Sequence, residues 1–269
     1  MNLRLIQVDE FGLIPHHPNI LVIRKPFINK GFFSVLLPHM EQGSLQSIML
    51  KRFPNGFPEG CILVVLREIL MGLYFIHNHG QVHREISVGA IFLKRGSKIK
   101  LAYSPSVYNG TDIYEGSTSS CLPMSTICDW ASAPEVYQDD KCEYTPKADI
   151  WLFGITALEL AYGGLKVKDR KALDSMVKNI NRRKRLPRRD QDESEKWEKN
   201  LCSSVGNWFS GVVGFKKRVF SKAFEDMVAK CLALDPEKRP TAGEILQHNV
   251  FTTLTIEDFT SFEDLLNNI

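Results

Sequence analysis

The order of strand-like and helix-like segments is the feature that most constrains the fold of this chain. Two apolar, β-branched runs, ILVIRKPF and FFSVLLPH, are separated by Asn29-Lys30-Gly31, which is typical of a hairpin turn. After the polar link MEQGSL, apolar residues recur three or four positions apart, as in helices. The predicted helices cover residues 61–77, 147–162, 169–181, 220–233 and 241–248. This order predicts a small β-rich lobe joined to a larger α-helical lobe, and so an α+β fold.

Three local patterns add detail to this prediction. IFLK and KIKLA, on either side of Arg95-Gly96-Ser97, are predicted to be two short strands. Thr241 followed by Glu244 has the spacing of a capping box and predicts a helix start. Residues 103–132 form a long polar segment rich in Ser, Thr and Tyr. Loops of this length in compact domains are usually functional or mobile.

Composition excludes several classes of protein. Hydrophobic residues make up 43% of the 269 residues and charged residues 24%, which are ordinary globular values. A net charge of +3 gives no general argument for nucleic-acid binding. We expect no membrane partner, because no apolar run reaches spanning length and the first residues lack a secretory signal. The 6 cysteines contain no CxxC pair, which favours reduced thiols in a cytoplasmic or nuclear protein.

Several blocks, taken together and in this order, resemble the protein kinase family. HREISVGAIFL is similar to the kinase catalytic loop, and KIKLAYSPS lies where kinases carry the metal-binding D-F-G. Ala133, Pro134 and Glu135 match A-P-E, and KADIWLFGITALELAYG and DPEKRPTAGEIL resemble the later blocks. HPNIL and MEQGSL resemble the fourth strand and the hinge. The amino-acid sequence of these blocks is most similar to the sterile-twenty group, in particular its SPAK-like and STRAD-like branches.

The resemblance implies a protein-kinase-like fold with a division into lobes. Residues 1–41 correspond to a partial small lobe with the fourth and fifth strands and the hinge. Residues 42–252 correspond to the large lobe, with a basic and then acidic insertion at 182–215. Residues 253–269 form a tail whose apolar residues have helical spacing. We expect the tail to dock on the body of the protein or on a partner.

The departures from the kinase pattern fall on the residues of phosphoryl transfer. Glu85 takes the place of the catalytic base Asp, and Ser87 stands where a lysine meets the γ-phosphate. Ala90 replaces the Asn that holds the second metal, and Tyr103 replaces the metal-binding Asp. Neither a methyl group nor a neutral phenol is a good ligand for a hard cation. The resemblance therefore implies a degenerate pseudokinase in which Glu85 stays as a candidate base.

Further parts of the phosphate and metal machinery differ or are absent from the sequence. Ser104 and Pro105 replace the Phe and Gly of D-F-G, and neither G-x-G-x-x-G nor V-A-I-K occurs. About fifteen residues precede HPNIL, so we interpret the small lobe as truncated. We expect no catalytic residue, no metal site, and neither ATP nor Mg²⁺ as a cofactor. An atypical serine/threonine kinase, with its missing strands supplied upstream, stays open as an alternative.

Residues with structural roles in kinases are kept. The resemblance implies a buried ion pair between Glu135 and Arg239, and it implies that Asp149 braces the catalytic-loop backbone. It also implies that His83 packs in the core beside Arg84. Because the structural residues persist while phosphate and metal residues are replaced, we expect an allosteric adaptor or scaffold in kinase signalling. Its expected partner is a protein kinase or a kinase scaffold protein, and a decayed gene product stays open.

The run KNINRRKRLPRRD is the most prominent charge feature, with seven Lys or Arg residues before the acidic stretch DQDESEKWEK. It is compatible with a nuclear-import or anion-binding patch. A solvated insertion, in which opposite charges partly neutralise each other, is the second interpretation. The sequence leaves both open.

Overall fold

The computed structural model describes most of the large lobe and the strands before it. The described residues are 16–22, 25–29, 32–36, 38–96, 98–103, 131–138, 144–165, 167, 169–187 and 218–267. Several predicted features lie outside them, namely Ser104, Pro105, most of the 103–132 segment and much of the 182–215 insertion.

Within the described residues, six short strands form two separate sheets. The strands are β1 (Ile20–Val22), β2 (Lys25–Asn29), β3 (Phe32–Leu36), β4 (Gly43–Ser44), β5 (Ile91–Lys94) and β6 (Lys98–Tyr103). β2 and β3 form the predicted antiparallel hairpin, with Asn29 opposite Phe32. The other sheet has the order β1-β6-β5-β4, in which β1 runs parallel to β6 and the other pairs are antiparallel. The run predicted as one strand over 20–27 therefore contributes to two sheets.

Helices make up most of the large lobe. They are α1 (Leu45–Arg52), α2 (Glu59–Asn78), α3 (Pro134–Gln138), α4 (Pro146–Tyr162), α5 (Arg170–Arg183), α6 (Lys222–Cys231), α7 (Ala242–Leu246), α8 (Asn249–Thr252) and α9 (Ile256–Asn267). The predicted capping box at Thr241 and Glu244 is present at the start of α7. The helix predicted over 241–248 ends at Leu246 instead, because His248 caps a new short helix by accepting the Val250 N–H.

Two long helices carry the hydrophobic core. Every residue of α4 from Ala148 to Tyr162 is buried, as its apolar composition on all sides requires. α2 buries one broad face against α4, α7 and α9. The catalytic-loop segment follows α2 directly, and the β5–β6 hairpin lies over it. Its contacts with Asp149 and Glu159 of α4 and with Ala102 of β6 place the loop between α4 and the sheet.

The helix Glu59–Asn78 corrects one expectation from the sequence. It is long and apolar enough to cross a membrane by length and composition alone, although no such run was expected. Of its most apolar 18-residue window, 61% is buried against other parts of the chain. Leu66, Leu70 and Ile76 are fully buried. Core helices can meet the same length and composition criteria, so this finding is weak grounds for a membrane span.

The tail contributes to the core of the large lobe. α9 packs on α2, and its Phe262 and Leu266 belong to the main hydrophobic cluster. Ile256 and Phe259, near its start, are exposed. Of the two sites considered for the tail, the structure shows docking on the body of the protein.

Candidate functional site

Asp149 of α4 holds the backbone of the catalytic-loop segment. Its carboxylate is fully buried and accepts the backbone N–H groups of His83 and Arg84, both at 2.7 Å. It also accepts a hydrogen bond from Nε2 of His77 at 2.9 Å. Three donors satisfy this buried charge, which is the condition under which a buried carboxylate is tolerated. Asp149 has the bracing contacts that the resemblance implies.

His83 is a structural histidine in this loop. Its Nε2 donates to the carbonyl oxygen of Ala102 at 2.8 Å, and its Nδ1 accepts the Glu85 N–H at 3.2 Å. This pair of partners fits the neutral ring with its proton on Nε2. Burial lowers the pKa of His83, and the charge of Asp149 opposes that shift in part. The side chain ties the loop to the end of β6.

Arg84 occupies a left-handed backbone conformation, with φ of 71°. Such a conformation is unfavourable for a residue with a side chain and persists where surrounding contacts fix it. Asp149 binds its N–H, and the Tyr144 hydroxyl donates to its carbonyl oxygen at 3.2 Å. The guanidinium lies over the Tyr144 ring, 5.7 Å from the centroid. The turn of the loop is therefore held from both sides of the peptide.

Glu85, at the base position, is half-buried. Burial raises the pKa of its carboxyl above the ordinary value. A raised pKa brings a carboxyl closer to the range in which a general base works at neutral pH. Position 85 thus keeps a carboxylate whose pKa is raised by burial, whereas Ser87 and Ala90 offer no charge.

Ser87 and Ala90 both serve the local backbone. Ser87 is fully buried, and its Oγ accepts the Ala90 N–H at 3.2 Å, so that it caps a single 3₁₀ turn over Val88–Ala90. The Val88 N–H is directed at Glu159 Oε2 of α4, at 3.4 Å. The methyl group of Ala90 is 5% exposed and has no lone pair to offer a cation. The two positions stabilise the turn and provide no charge.

Tyr103 fills the position of the metal-binding carboxylate with a buried ring. The residue is 1% exposed and clusters with Ile20 and Ile76. Its ring lies 5.5 Å from that of His83, and its hydroxyl donates to Gln81 Oε1 at 2.6 Å. Burial, and secondly the charge of Asp149, raise the pKa of Tyr103 to about 12. The phenol stays neutral and bonded within the protein.

The donor set at these positions does not fit a divalent cation. Mg²⁺ is bound by carboxylates together with phosphate and water oxygens. Positions 90 and 103 offer a methyl group and a buried phenol instead. Within the part of the chain that the structure describes, no group of three or more His, Cys, Asp or Glu side chains is arranged to hold a metal.

A bidentate ion pair links the start of α3 to the segment before α7. Arg239 Nη1 and Nη2 donate to Glu135 Oε1 and Oε2 at 2.5 and 2.8 Å. Arg239 is 1% exposed and also donates to the carbonyl oxygens of Ala233 and Lys147. Its guanidinium lies 5.1 Å from the Trp151 ring centroid. The ion pair that the resemblance implies is therefore formed, but only Arg239 is fully buried, since the Glu135 side chain is 24% exposed. It lies next to buried Ala133 and to Pro134, the first residue of α3.

Comparison with known proteins agrees with this arrangement. The sequence model of the family described as "Protein kinase domain" matches residues 10–251. The chain belongs to the protein kinase domain family. Membership confirms the predicted α+β kinase fold, and it gives the loop at 83–90, the pair Glu135–Arg239 and the buried helix α4 their places in a kinase large lobe.

Kinases and kinase adapters are both among the similar proteins. The chain is 30% identical over 244 residues to serine/threonine-protein kinase fray2 of Dictyostelium discoideum, covering 91% of this chain and 21% of that protein. It is 27% identical over 275 residues to STE20-related kinase adapter protein alpha of Gallus gallus, covering 94% and 70%. STE20-related kinase adapter protein beta of Homo sapiens is 27% identical, covering 98% and 68%. This confirms the sterile-twenty group.

The chain spans only part of the length of the first of these relatives. It covers 21% of fray2 and 36% of the related fray1 kinase of the same organism.

Several residues of this kinase domain that support the loop were not predicted as site residues. They are His77, Gln81, Tyr144 and Glu159. Glu159 had a signal, since it is the one charged residue within the apolar run IWLFGITALELAYG. Gln81 had none, because an amide two residues before His83 gains its role only through the fold.

Proposed function

We propose that this kinase domain is a pseudokinase, which has lost phosphoryl transfer and acts as an allosteric adaptor or scaffold for a protein kinase. The observation that carries the proposal is Tyr103, whose ring and hydroxyl are bound inside the protein where a kinase needs a metal-binding carboxylate. The STE20-related kinase adapter proteins alpha and beta carry the word adapter in their names, and this supports the same function.

Retained shape is the basis of the proposed activity. Asp149 and His83 fix the backbone of the catalytic loop through hydrogen bonds within the chain. A rigid surface shifts the equilibrium of a partner kinase only through different affinities for that partner's two states. The coupling free energy in such systems is commonly about 1–3 kcal/mol. The surface proposed for this contact is on the large lobe and includes the segment 103–132 and the helix α5, in a cytoplasmic or nuclear protein.

Nucleotide binding provides the first test. A ligand at 100 times its dissociation constant stabilises a protein by about 2.7 kcal/mol. We expect millimolar ATP with Mg²⁺ to leave the melting temperature of the chain unchanged, because positions 87, 90 and 103 offer no charge to phosphate or metal. ATP with a chelator is the control. A metal-dependent rise of several degrees would overturn the inactive assignment.

A kinase assay tests the adaptor function itself. Proximity labelling in cells identifies candidate partners, and the activity of each candidate kinase is then measured with and without the purified chain. We expect at least one protein kinase or kinase scaffold to bind directly, with the activity of the kinase changed several-fold. Absence of such a partner would leave the decayed-gene interpretation in place.

An atypical serine/threonine kinase is the second candidate function. Glu85, half-buried and with a raised pKa, keeps a carboxylate at the base position, and the fray relatives are named as kinases. This function requires phosphate transfer from ATP to a protein substrate by the purified chain. Activity that disappears in Glu85→Gln would support this candidate, whereas activity unchanged in that variant would indicate a contaminating kinase.

A further inference from the structure

We propose that the exposed face of α5 docks an acidic segment of a partner protein. The docking surface, named here the basic stripe, consists of Lys171, Lys178 and Arg182, all exposed. Steps of seven and four residues bring their side chains to the same side of a helix. The inference rests on the proposed adaptor function and gives the chemistry by which the adaptor holds its partner.

The fold holds the stripe outward. On the opposite side of α5, Leu173, Met176, Val177 and Ile180 are at most 4% exposed and pack in the core. The helix start is fixed as well, since the Asp169 side chain accepts the Ala172 N–H at 2.8 Å. Because the apolar face is buried in the core, the opposite face of the helix, with its row of cations, points to solvent.

The charge of the stripe is not neutralised along the helix. α5 contains a single acidic residue, Asp174, and its carboxylate already accepts from Arg170 Nε at 2.9 Å. Among the described residues, no carboxylate lies within ion-pair distance of Lys171, Lys178 or Arg182. The Asn179 side chain accepts from Arg182 Nη2 at 2.8 Å and holds that guanidinium in place.

The end of the helix extends the positive charge. Arg183, Lys184 and Arg185 follow the stripe directly and are exposed. Lys184 ends the helix in a left-handed conformation, with φ of 51°. Cations in the last turn of a helix also interact favourably with its dipole, so part of this charge stabilises α5 itself. Arg182 of the stripe lies in that turn, whereas Lys171 and Lys178 lie before it.

Several properties favour an acidic protein segment over other polyanions. A membrane-surface helix needs an accessible apolar face, and that of α5 is buried in the core. Single-stranded nucleic acid is bound by stacking on aromatic side chains, and α5 contains none. Duplex binding relies on extensive positive charge, whereas the whole chain carries +3. From Lys171 to Arg182 the helix rises about 16 Å, which about five residues of an extended acidic segment span.

Binding of a defined acidic peptide tests the surface. The probe is a labelled peptide of consecutive glutamates, followed by fluorescence anisotropy at about 50 mM salt, where screening is modest. The full chain is compared with a variant carrying Lys171→Glu, Lys178→Glu and Arg182→Glu. We expect the variant to bind the peptide about tenfold more weakly or worse, because three favourable charge pairs become repulsive.

A matched control separates the stripe from overall charge. Lys51→Glu, Lys94→Glu and Lys98→Glu together change the net charge by the same amount at three exposed positions on α1, β5 and β6. This variant is expected to bind the peptide as the native chain does. Equal weakening in both triple variants would overturn the inference, and so would tighter stripe-dependent binding of a DNA duplex or of phosphatidylserine vesicles.

Two further outcomes distinguish this inference from the adaptor function. A partner kinase that binds the stripe variant at native strength would overturn the inference and leave the adaptor function intact. Stripe-dependent peptide binding with no kinase partner would support the surface and contradict the adaptor function. Neutralising the acidic residues between 190 and 198 is expected to leave peptide affinity unchanged. A large gain in affinity would show that the chain's own acidic stretch occupies the stripe.

Discussion

At the residue scale, Arg239 and Glu159 show two ways in which a charge is accommodated in the core. Arg239 is surrounded by acceptors, with two carboxylate oxygens of Glu135 and backbone carbonyl groups of three residues. Glu159 is 5% exposed and has the Val88 N–H as a partner at 3.4 Å. The Arg239 charge is thus compensated by a carboxylate and several carbonyl groups, whereas, among the described residues, the Glu159 carboxylate is compensated by one long hydrogen bond.

Arg239→Ala is expected to lower the free energy of unfolding by about 3–5 kcal/mol. The change removes the bidentate pair with Glu135 and leaves buried carbonyl groups without their donor. Urea denaturation of the full chain measures this effect. Lys238→Ala is the matched control, because the Lys238 side chain is 77% exposed and its change should cost less than about 0.5 kcal/mol. Coincident melts of Arg239→Ala and the native chain would show that the pair does not stabilise the fold.

Glu159 is expected to make stability depend on pH. Burial raises the pKa of Glu159 from 4.5 to about 7, so the folded state holds this proton more tightly than the unfolded state. Stability is therefore lost as pH rises from about 4.5 through about 7, by roughly 3 kcal/mol in total. Glu159→Gln removes the titration while keeping an oxygen for the Val88 N–H.

The measurement compares the free energies of unfolding of the two proteins from about pH 5 to about pH 8. The difference should shift in favour of Glu159→Gln as pH rises, by up to about 3 kcal/mol. His83, whose pKa is lowered by burial, titrates in both proteins and cancels in the difference. Parallel pH profiles would contradict this account of Glu159.

At the scale of elements, α9 shows how a tail becomes part of a domain. Its N-terminal end leaves Ile256 and Phe259 exposed, with Ile256 at 85%. Its later turns place Phe262 and Leu266 in the main core against α2. The helix is short, and helices of this length are marginal in isolation, so this packing is what keeps it folded.

Phe262→Ala is expected to cost about 3–5 kcal/mol of stability, because it opens a cavity beneath α9 and removes its main anchor. Phe259→Ala on the same helix is the control. Phe259 is 36% exposed, and its loss should cost less than about 1 kcal/mol. Limited proteolysis, with cleavage followed near residue 256, reports undocking directly. Equal stability and equal protease resistance of the two variants would show that α9 does not depend on this contact.

At the scale of the whole molecule, residues that support the kinase fold are kept, while residues at the phosphoryl-transfer positions differ from the kinase pattern. Asp149, His83 and the pair Glu135–Arg239 make the contacts that hold a kinase large lobe together. Phosphoryl transfer depends instead on charges arranged around ATP, metal and substrate. Because these charges contribute little to the core, they can be replaced without loss of the fold.

Restoring the metal ligands is expected not to restore activity. The variant carries Glu85→Asp, Ala90→Asn, Tyr103→Asp and Pro105→Gly, and it still holds Ser87 and no V-A-I-K lysine. It should also be less stable than the native chain, because Tyr103→Asp removes a buried ring and places a carboxylate near Asp149. Phosphorylation of a generic protein substrate with radiolabelled ATP is the measurement, and a thermal melt confirms that the variant is folded. Robust incorporation of label would contradict the pseudokinase proposal.

The sequence by itself determined the long helices, the β2–β3 and β5–β6 hairpins and, through the kinase-like blocks, Asp149 and the pair Glu135–Arg239. Periodic spacing shows which face of an element is apolar, and a turn signal joins neighbouring strands, so both can be predicted from nearby residues. Motif order then placed the loop and the ion pair. These features need no knowledge of which surfaces meet.

Only the tertiary structure decided which distant parts of the chain meet and what Tyr103 contacts. It divided the run 20–27 between two sheets, paired β1 with β6, and buried Tyr103 against His83 with its hydroxyl on Gln81. It also docked α9 on α2, although the sequence left the tail's site open. Each of these contacts joins groups distant in the chain, or depends on which way a side chain points. An apolar face or a polar group can be satisfied by any complementary partner. The packing of the whole chain therefore decides which of these partners lies near.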